Sequence, residues 1–216
     1  MFTTLHPFNA EYLTNPNQDQ LRDLAKECTP AIFESECGNL NKVSRNKARM
    51  AKYTYIIDTD DNAAQYSHQV IDPSKAAGLI KRQQQYIEET GRLIEIRGFL
   101  GLGERAVPVQ WLYTPEAANI AGMQAILAFP VGDVLRNGTP FQPKFRVIYT
   151  PNLLLKDMPG EQAIIVDLKN YTTHIMGPDY FGESKKAALR MLNHSVFQEG
   201  GLVLHAGAKT VKIGNE

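Results

Sequence analysis

Residues 92–116 read Arg92-Leu-Ile-Glu-Ile-Arg-Gly-Phe-Leu-Gly101-Leu-Gly-Glu-Arg-Ala-Val107-Pro-Val-Gln-Trp-Leu-Tyr113-Thr-Pro-Glu116, and this stretch decides the class of fold. Segments 92–97 and 107–113 are rich in β-branched and aromatic side chains, the composition of strands. Gly101 and Gly103 between them predict a hairpin turn. The third glycine and following helix of a dinucleotide-binding fingerprint are missing. Thr114-Pro115-Glu116 then opens a helix, with Thr as cap, Pro at the first helical position and Glu at the positive end of the dipole. That helix runs over 117–128 and must end before Pro130, because the residue ahead of a proline is driven out of the helical region.

The same alternation continues in both directions. Upstream, Tyr-Thr-Tyr-Ile-Ile at 53–57 predicts a strand that runs into the polar loop 58–62. Residues 74–90 predict a helix with Ser74 as N-cap and Gly91 just past its end, and Leu79, Tyr86 and Ile87 share one face. Downstream, strands are expected at 144–149, 163–168, 172–176 and 201–205, with a helix over 183–197 between the last two. Proline and glycine clusters at 130–143 and 158–160 are loops within one unit, and no 20–50-residue repeat is present. Strands joined partly by turns and partly by helical crossovers predict a single α/β domain over 1–216, a mixed β-sheet with flanking helices. Residues 1–41 are expected to form an acidic helical or loop segment.

At 216 residues, 43% hydrophobic and 21% charged, the composition is that of a globular protein and excludes disordered, collagen-like and coiled-coil classes. No apolar run approaches the ~18–20 residues of a membrane span, and the N-terminus lacks a signal peptide's cationic start. Cys28 and Cys37 are too few for a disulfide framework and lack zinc-knuckle spacing, so a reduced, cytoplasmic protein is expected. Lys plus Arg number 23 against 23 Asp plus Glu, which argues against nucleic acid or a membrane surface as a partner. The charge is unevenly spread. Residues 1–41 carry six acids and two bases, whereas 42–52 carry Lys42, Arg45, Lys47, Arg49 and Lys52 with no acid. That run is either a solvated basic face or a short anion-binding element serving a small substrate.

The segment most suggestive of chemistry is Gly177-Pro-Asp-Tyr180-Phe-Gly-Glu183-Ser-Lys185-Lys186-Ala-Ala. It places two lysines in the first turn of a predicted helix, where the dipole disfavours cations by a few tenths of a kcal/mol. A broken local rule points to function, and helix amides with two ammonium groups make a phosphate or carboxylate cradle. The alternative is that both side chains splay into water. His205 closes the apolar run 200–205, as either a hydrogen-bonded structural group or a ligand. His6, His68, His174 and His194 give no ligand spacing, and neither HExxH nor GxxxxGK[ST] occurs in the chain.

These pieces, in this order, resemble the N-terminal domain of the ATP-dependent phosphoenolpyruvate carboxykinases over residues 45–212. Tyr180-Phe-Gly-Glu-Ser-Lys185-Lys186 is similar to the family's Tyr-Gly-Gly-Glu-Met-Lys-Lys, and His205 follows Lys186 by nineteen residues, where the family has its metal-binding histidine. Arg92-Leu-Ile-Glu-Ile-Arg-Gly-Phe-Leu-Gly, Leu112-Tyr-Thr-Pro-Glu-Ala, Phe129-Pro130 and Phe141-Gln-Pro-Lys-Phe resemble its strand, hairpin and loop segments. Arg49-Met-Ala-Lys52-Tyr-Thr-Tyr55-Ile-Ile resembles Arg-Ser-Pro-Lys-Asp-Lys-Tyr-Ile-Val, although Met50-Ala51 replaces Ser-Pro and Arg45 competes with Arg49 for the role. The resemblance implies conversion of oxaloacetate and ATP to phosphoenolpyruvate, CO₂ and ADP. It implies Lys185 and Lys186 as catalytic groups, with Lys185 bridging substrate and phosphate. Tyr180 would line the substrate site and Arg49 would hold the substrate carboxylate. Lys186, as a neutral amine, and His205 would ligate Mn²⁺ or Mg²⁺. ATP and a further metal-binding Asp would belong to a kinase-like C-terminal domain, the chain's implied partner, so no turnover is expected of these 216 residues alone. The other expectation is a non-catalytic relative that keeps a pocket for a small dicarboxylate or phosphate. The carboxykinase reading needs the lysine pair and His205 to converge on one cavity.

Overall fold

The computed structural model describes residues 4–57, 69–135, 139–204, 206 and 209–211. In chain order these form β1 (Glu11–Thr14), α1 (Gln18–Cys28), β2 (Ile32–Glu34), β3 (Leu40–Lys42), β4 (Thr54–Ile57), β5 (Val70–Ile71), α2 (Pro73–Thr90), β6 (Arg92–Leu100) and β7 (Val107–Tyr113). They continue with α3 (Ala118–Leu127), β8 (Phe129–Pro130), the single turn α4 (Val131–Val134), β9 (Phe145–Thr150), β10 (Ala163–Asp167), β11 (Thr172–Met176) and α5 (Phe181–Gln198). Apart from a β2–β3 hairpin, the strands join one mixed sheet in the order β1-β6-β7-β9-β11-β10-β4-β5, with β8 beside β6. The β6–β7, β6–β8 and β10–β11 pairs are antiparallel and the others parallel. The mixed α/β sheet with flanking helices expected from the sequence is what forms.

Strand alternation sorts the core into two layers. Ile94 and Ile96, Val109, Trp111 and Tyr113, Phe145, Val147 and Tyr149 all turn to the face covered by α1, α3 and α5. The intervening Leu93, Leu112 and Ile148 turn to the other face, where Ile87 of α2 packs. Farther along that face Ala76 and Leu79 of α2 meet Ala163, Ile165 and Met176. Trp111, Tyr113, Phe145 and Tyr149 are fully buried, and each contributes roughly 1.5–3 kcal/mol of hydrophobic stabilisation. His174 also lies buried under α2, its Nδ1 2.7 Å from Gln83 Oε1, and burial pushes its pKa down to about 4. It is a neutral structural histidine.

The structure departs from the sequence expectations at several points. Asp72, not Ser74, caps α2, because Pro73 takes the first helical position and the Asp72 carboxylate accepts the Ser74 and Lys75 N–H groups at 2.9 and 3.0 Å. Residues 1–41 hold an edge strand, β1, parallel to β6, together with α1 and the β2–β3 hairpin. Helix α5 starts at Phe181, two residues before the expected position, so Lys185 and Lys186 sit in its second turn and Glu183 in its first. The strand expected at 201–205 does not form over 201–204: Leu202 and Leu204 are exposed and no strand pairs with them, and an apolar run is a strand only when another strand supplies its hydrogen bonds. His205 lies outside the described residues.

Gly177, between β11 and α5, has φ of 96°, and a Cβ there would stand 2.7 Å from Gln162 Cβ and 3.0 Å from Glu161 O. Only glycine lets the chain leave β11 at this angle. The turn aims the next segment, with Asp179, Tyr180 and Glu183, at the basic loop between β3 and β4.

Candidate anion-binding site

Two buried carboxylates organise the basic run. Asp179 accepts the backbone N–H groups of Arg45 at 3.0 Å and Asn46 at 2.9 Å, and the Lys42 ammonium at 3.0 Å. Burial opposes its ionisation, but these donors outweigh burial and hold its carboxyl below the usual aspartate range. Asn46 returns the contact by accepting the Asp179 N–H at 3.0 Å. One turn into α5, Glu183 is completely buried and accepts the Met50 N–H at 3.0 Å and the Arg190 guanidinium at 2.6 Å. The loop is therefore pinned before and after residues 47–49, and Arg49 is presented from a fixed backbone.

This pinning sorts four of the five bases, Lys47 being exposed. Lys42 is paired with Asp179. Arg45 donates to the carbonyls of Pro151 at 2.6 Å and Gly177 at 3.0 Å and lies 3.8 Å from Asp179, so it ties the loop to the sheet. Lys52 lies over the Tyr53 ring. Arg49 makes no hydrogen bond or ion pair among the described residues and lines a cavity of about 270 Å³ with Ala51, Lys186, Leu189, Arg190 and Asn193. Of the two competing arginines, Arg49 is the one without a partner among the described residues.

Lys186 reaches the same cavity from α5. Its Nζ is buried with no hydrogen-bond partner, 3.9 Å from Glu183 Oε1 and 5.1 Å from the centre of the Tyr180 ring. Burial lowers its proton affinity, Glu183 opposes that, and the charges of Arg49, Arg190 and Lys185 lower it further, for a net fall. Burial is a cause that the sequence could not supply. Lys185 is exposed and borders none of the described cavities, so the two lysines diverge in this structure.

Tyr180 lies against the first turn of α5 because residue 182 has no side chain: a Cβ there would stand 2.4 Å from Tyr180 Cε1. Gly182→Ala is expected to displace the ring from Lys186 while improving helix propensity by roughly 1 kcal/mol. Oxalate affinity should fall a few-fold with an equal or higher melting temperature, and an unchanged affinity would show that the ring does not serve the site.

A larger cavity, about 650 Å³, lies between α1, the β2–β3 hairpin and α3, with Lys42, Asp179 and Tyr180 at its edge. Its Lys42 and Asp179 already neutralise each other, and it lacks the unpartnered cations of the smaller one. Among the described residues no group of three His, Cys, Asp or Glu could hold a metal ion. Among the residues lining the smaller cavity, Lys186 offers a nitrogen whose proton affinity is lowered and which makes no hydrogen bond among the described residues. No helix among the described residues is long and apolar enough to cross a membrane.

A mixed sheet whose β11–α5 connection clamps a basic loop beside a small cavity lined by Arg49, Lys186 and Arg190 defines an α/β domain with a candidate anion site. The chain belongs to the phosphoenolpyruvate carboxykinase family, whose model matches residues 10–216. It is also similar to a phosphoenolpyruvate carboxykinase (ATP) from Geobacillus thermodenitrificans (strain NG80-2), 25% identical over 153 residues. That match covers 68% of this chain, which spans 28% of the relative's length.

Neither the sequence reading nor the resemblance singled out Asp179, Glu183 or Arg190. The available signal was spacing: Glu183, Lys186 and Arg190 fall at i, i+3 and i+7 and so share a helix face.

Proposed function

We propose that this chain is the substrate-binding half of a carboxykinase that converts oxaloacetate and ATP to phosphoenolpyruvate, CO₂ and ADP. The observation that carries this reading is the Lys186 amine, buried without a hydrogen bond, on the same cavity as Arg49, which has no partner among the described residues. An unsatisfied buried cation is costly, and a carboxylate would satisfy both groups at once.

In this reading Arg49 holds a substrate carboxylate, its backbone held in place by the Glu183–Met50 contact. Tyr180 covers the bound molecule on the α5 side and excludes water. Lys186 faces the oxygen on which charge develops as CO₂ departs, where a fixed positive group lowers the barrier. Lys185, already at the surface, meets the phosphoryl group that is transferred, a step governed by positioning and charge neutralisation. In a metal-bound state Lys186, as its neutral amine, and His205 would hold Mn²⁺ or Mg²⁺, which would then supply, in place of the ammonium, the charge that stabilises the enolate. The chain contains no GxxxxGK[ST] motif, so the ATP phosphates have no such cradle on it, and we expect no turnover from these residues alone.

A second reading, a small-anion binding module without catalysis, is favoured by the same cavity, whose cations are all supplied by this chain. Titration with oxalate, with and without Mn²⁺, tests what the two share. Saturable binding lost in Arg49→Ala supports an anion site, whereas no heat and no thermal shift in the wild-type chain would falsify both readings. Joining the chain to a kinase-like domain and assaying phosphoenolpyruvate formation from oxaloacetate and ATP then separates them.

A further inference from the structure

Arg190 has no place in the reading above, yet it stands in the same cavity. One edge of its guanidinium is spoken for, since Nη2 donates to Glu183 Oε2 at 2.6 Å. The other edge is not: Nη1 is buried and has no hydrogen-bond partner among the described residues. Two buried cationic nitrogens with no hydrogen bond among the described residues, Arg190 Nη1 and Lys186 Nζ, thus belong to residues lining one cavity of about 270 Å³, with Arg49, likewise without a partner among those residues, beside them. Buried donors of this kind are rare in folded proteins and call for an acceptor. Among the described residues the carboxylate in contact with the cluster is Glu183, which accepts the Met50 N–H and Nη2 itself and stands 3.9 Å from Lys186 Nζ.

We propose that Arg190 is a specificity-determining residue of this site, its Nη1 edge receiving a second anionic group of the ligand held by Arg49 and Lys186. The cavity then selects small dianions, oxalate or phosphate in type, over monoanions. The Glu183 contact fixes the guanidinium plane in advance, so little side-chain freedom is lost on binding. Lysine could not replace it, because a single ammonium cannot serve Glu183 and the ligand along two fixed directions. This inference rests on the reading of the cavity as an anion site.

The test is calorimetric titration of the full chain with oxalate, inorganic phosphate and acetate, for the wild type and for Arg190→Ala, Arg190→Lys, Arg190→Gln and Arg49→Ala. Arg190→Ala should weaken oxalate and phosphate binding at least tenfold and leave acetate within about twofold, with Arg190→Lys recovering only part of the loss. Should Arg190→Ala fold poorly, Arg190→Gln keeps an amide donor for Glu183, places nothing at the Nη1 position, and should show the same loss of dianion preference. If Arg49→Ala abolishes oxalate binding while the Arg190 variants bind it as the wild type does, the anion site stands and the role of Arg190 is overturned. If the wild type binds neither oxalate nor phosphate, both fall.

Discussion

Replacing Glu183 by alanine is expected to lower the free energy of unfolding by about 3 kcal/mol, the scale for removing one partner of a buried ionic contact. The Glu183 carboxylate is fully buried, and its removal strands the Met50 N–H and Arg190, with different consequences, and takes a counter-charge 3.9 Å away from Lys186. Arg190 is 28% exposed and can turn to water, so its loss is partly recovered. The Met50 N–H cannot turn, because Met50 is buried at 5% exposure and its backbone sits in the loop that Glu183 clamps. For a chain of this size a change of about 3 kcal/mol corresponds to a fall of roughly 6–12 °C in melting temperature. Glu183→Gln keeps an acceptor for Met50 while giving up the charge, and should lose about half as much. Anion binding should fall with stability in the alanine variant, since Arg49 is positioned by the residue next to it. A melting temperature within 2 °C of the wild type would mean that the loop is held by Asp179 alone.

The layers of this fold could be read from the chain because they rest on periodicity. Strands β6, β7, β9, β10 and β11 alternate core positions over five residues or more, and Gly101 and Gly103 mark the hairpin between the first two. Strand β1 escaped because Glu11-Tyr-Leu-Thr14 is four residues at a sheet edge, too short for alternation to show. The start of α5 was set late because Tyr180 offers no capping side-chain bond, so the usual N-terminal signal is absent. The site was legible only as a list of charges. Arg45 and Arg49 look alike in sequence, and what separates them is contact with carbonyls 106 and 132 residues away, at Pro151 and Gly177. Composition also cannot reveal that Lys186 is buried and Lys185 is not, since that depends on which side of α5 meets the loop around Met50.

That difference in burial makes Lys186→Met the most discriminating substitution at the site. Removing a buried donor that has no partner takes away a desolvation cost, and methionine fills much the same volume, so stability should hold or rise by up to about 1 kcal/mol. Affinity for oxalate should nevertheless fall roughly 10- to 100-fold, the usual range for one charged hydrogen bond to a ligand. The pH dependence gives an independent sign. Burial lowers the folded-state pKa of Lys186 below the ordinary lysine value of about 10.4, so between those two values the unfolded chain binds more protons than the folded one. Below the folded-state pKa the full cost of the buried charge is present in the wild type, and it is relieved as pH rises through that value towards the unfolded one. The stability advantage of Lys186→Met should therefore shrink with rising alkalinity, as urea titrations at a series of pH values would measure. A variant that melts well below the wild type at neutral pH, or one whose difference from it is flat with pH, would show that the amine is already satisfied. The cavity would then lose the charge on which its anion chemistry depends.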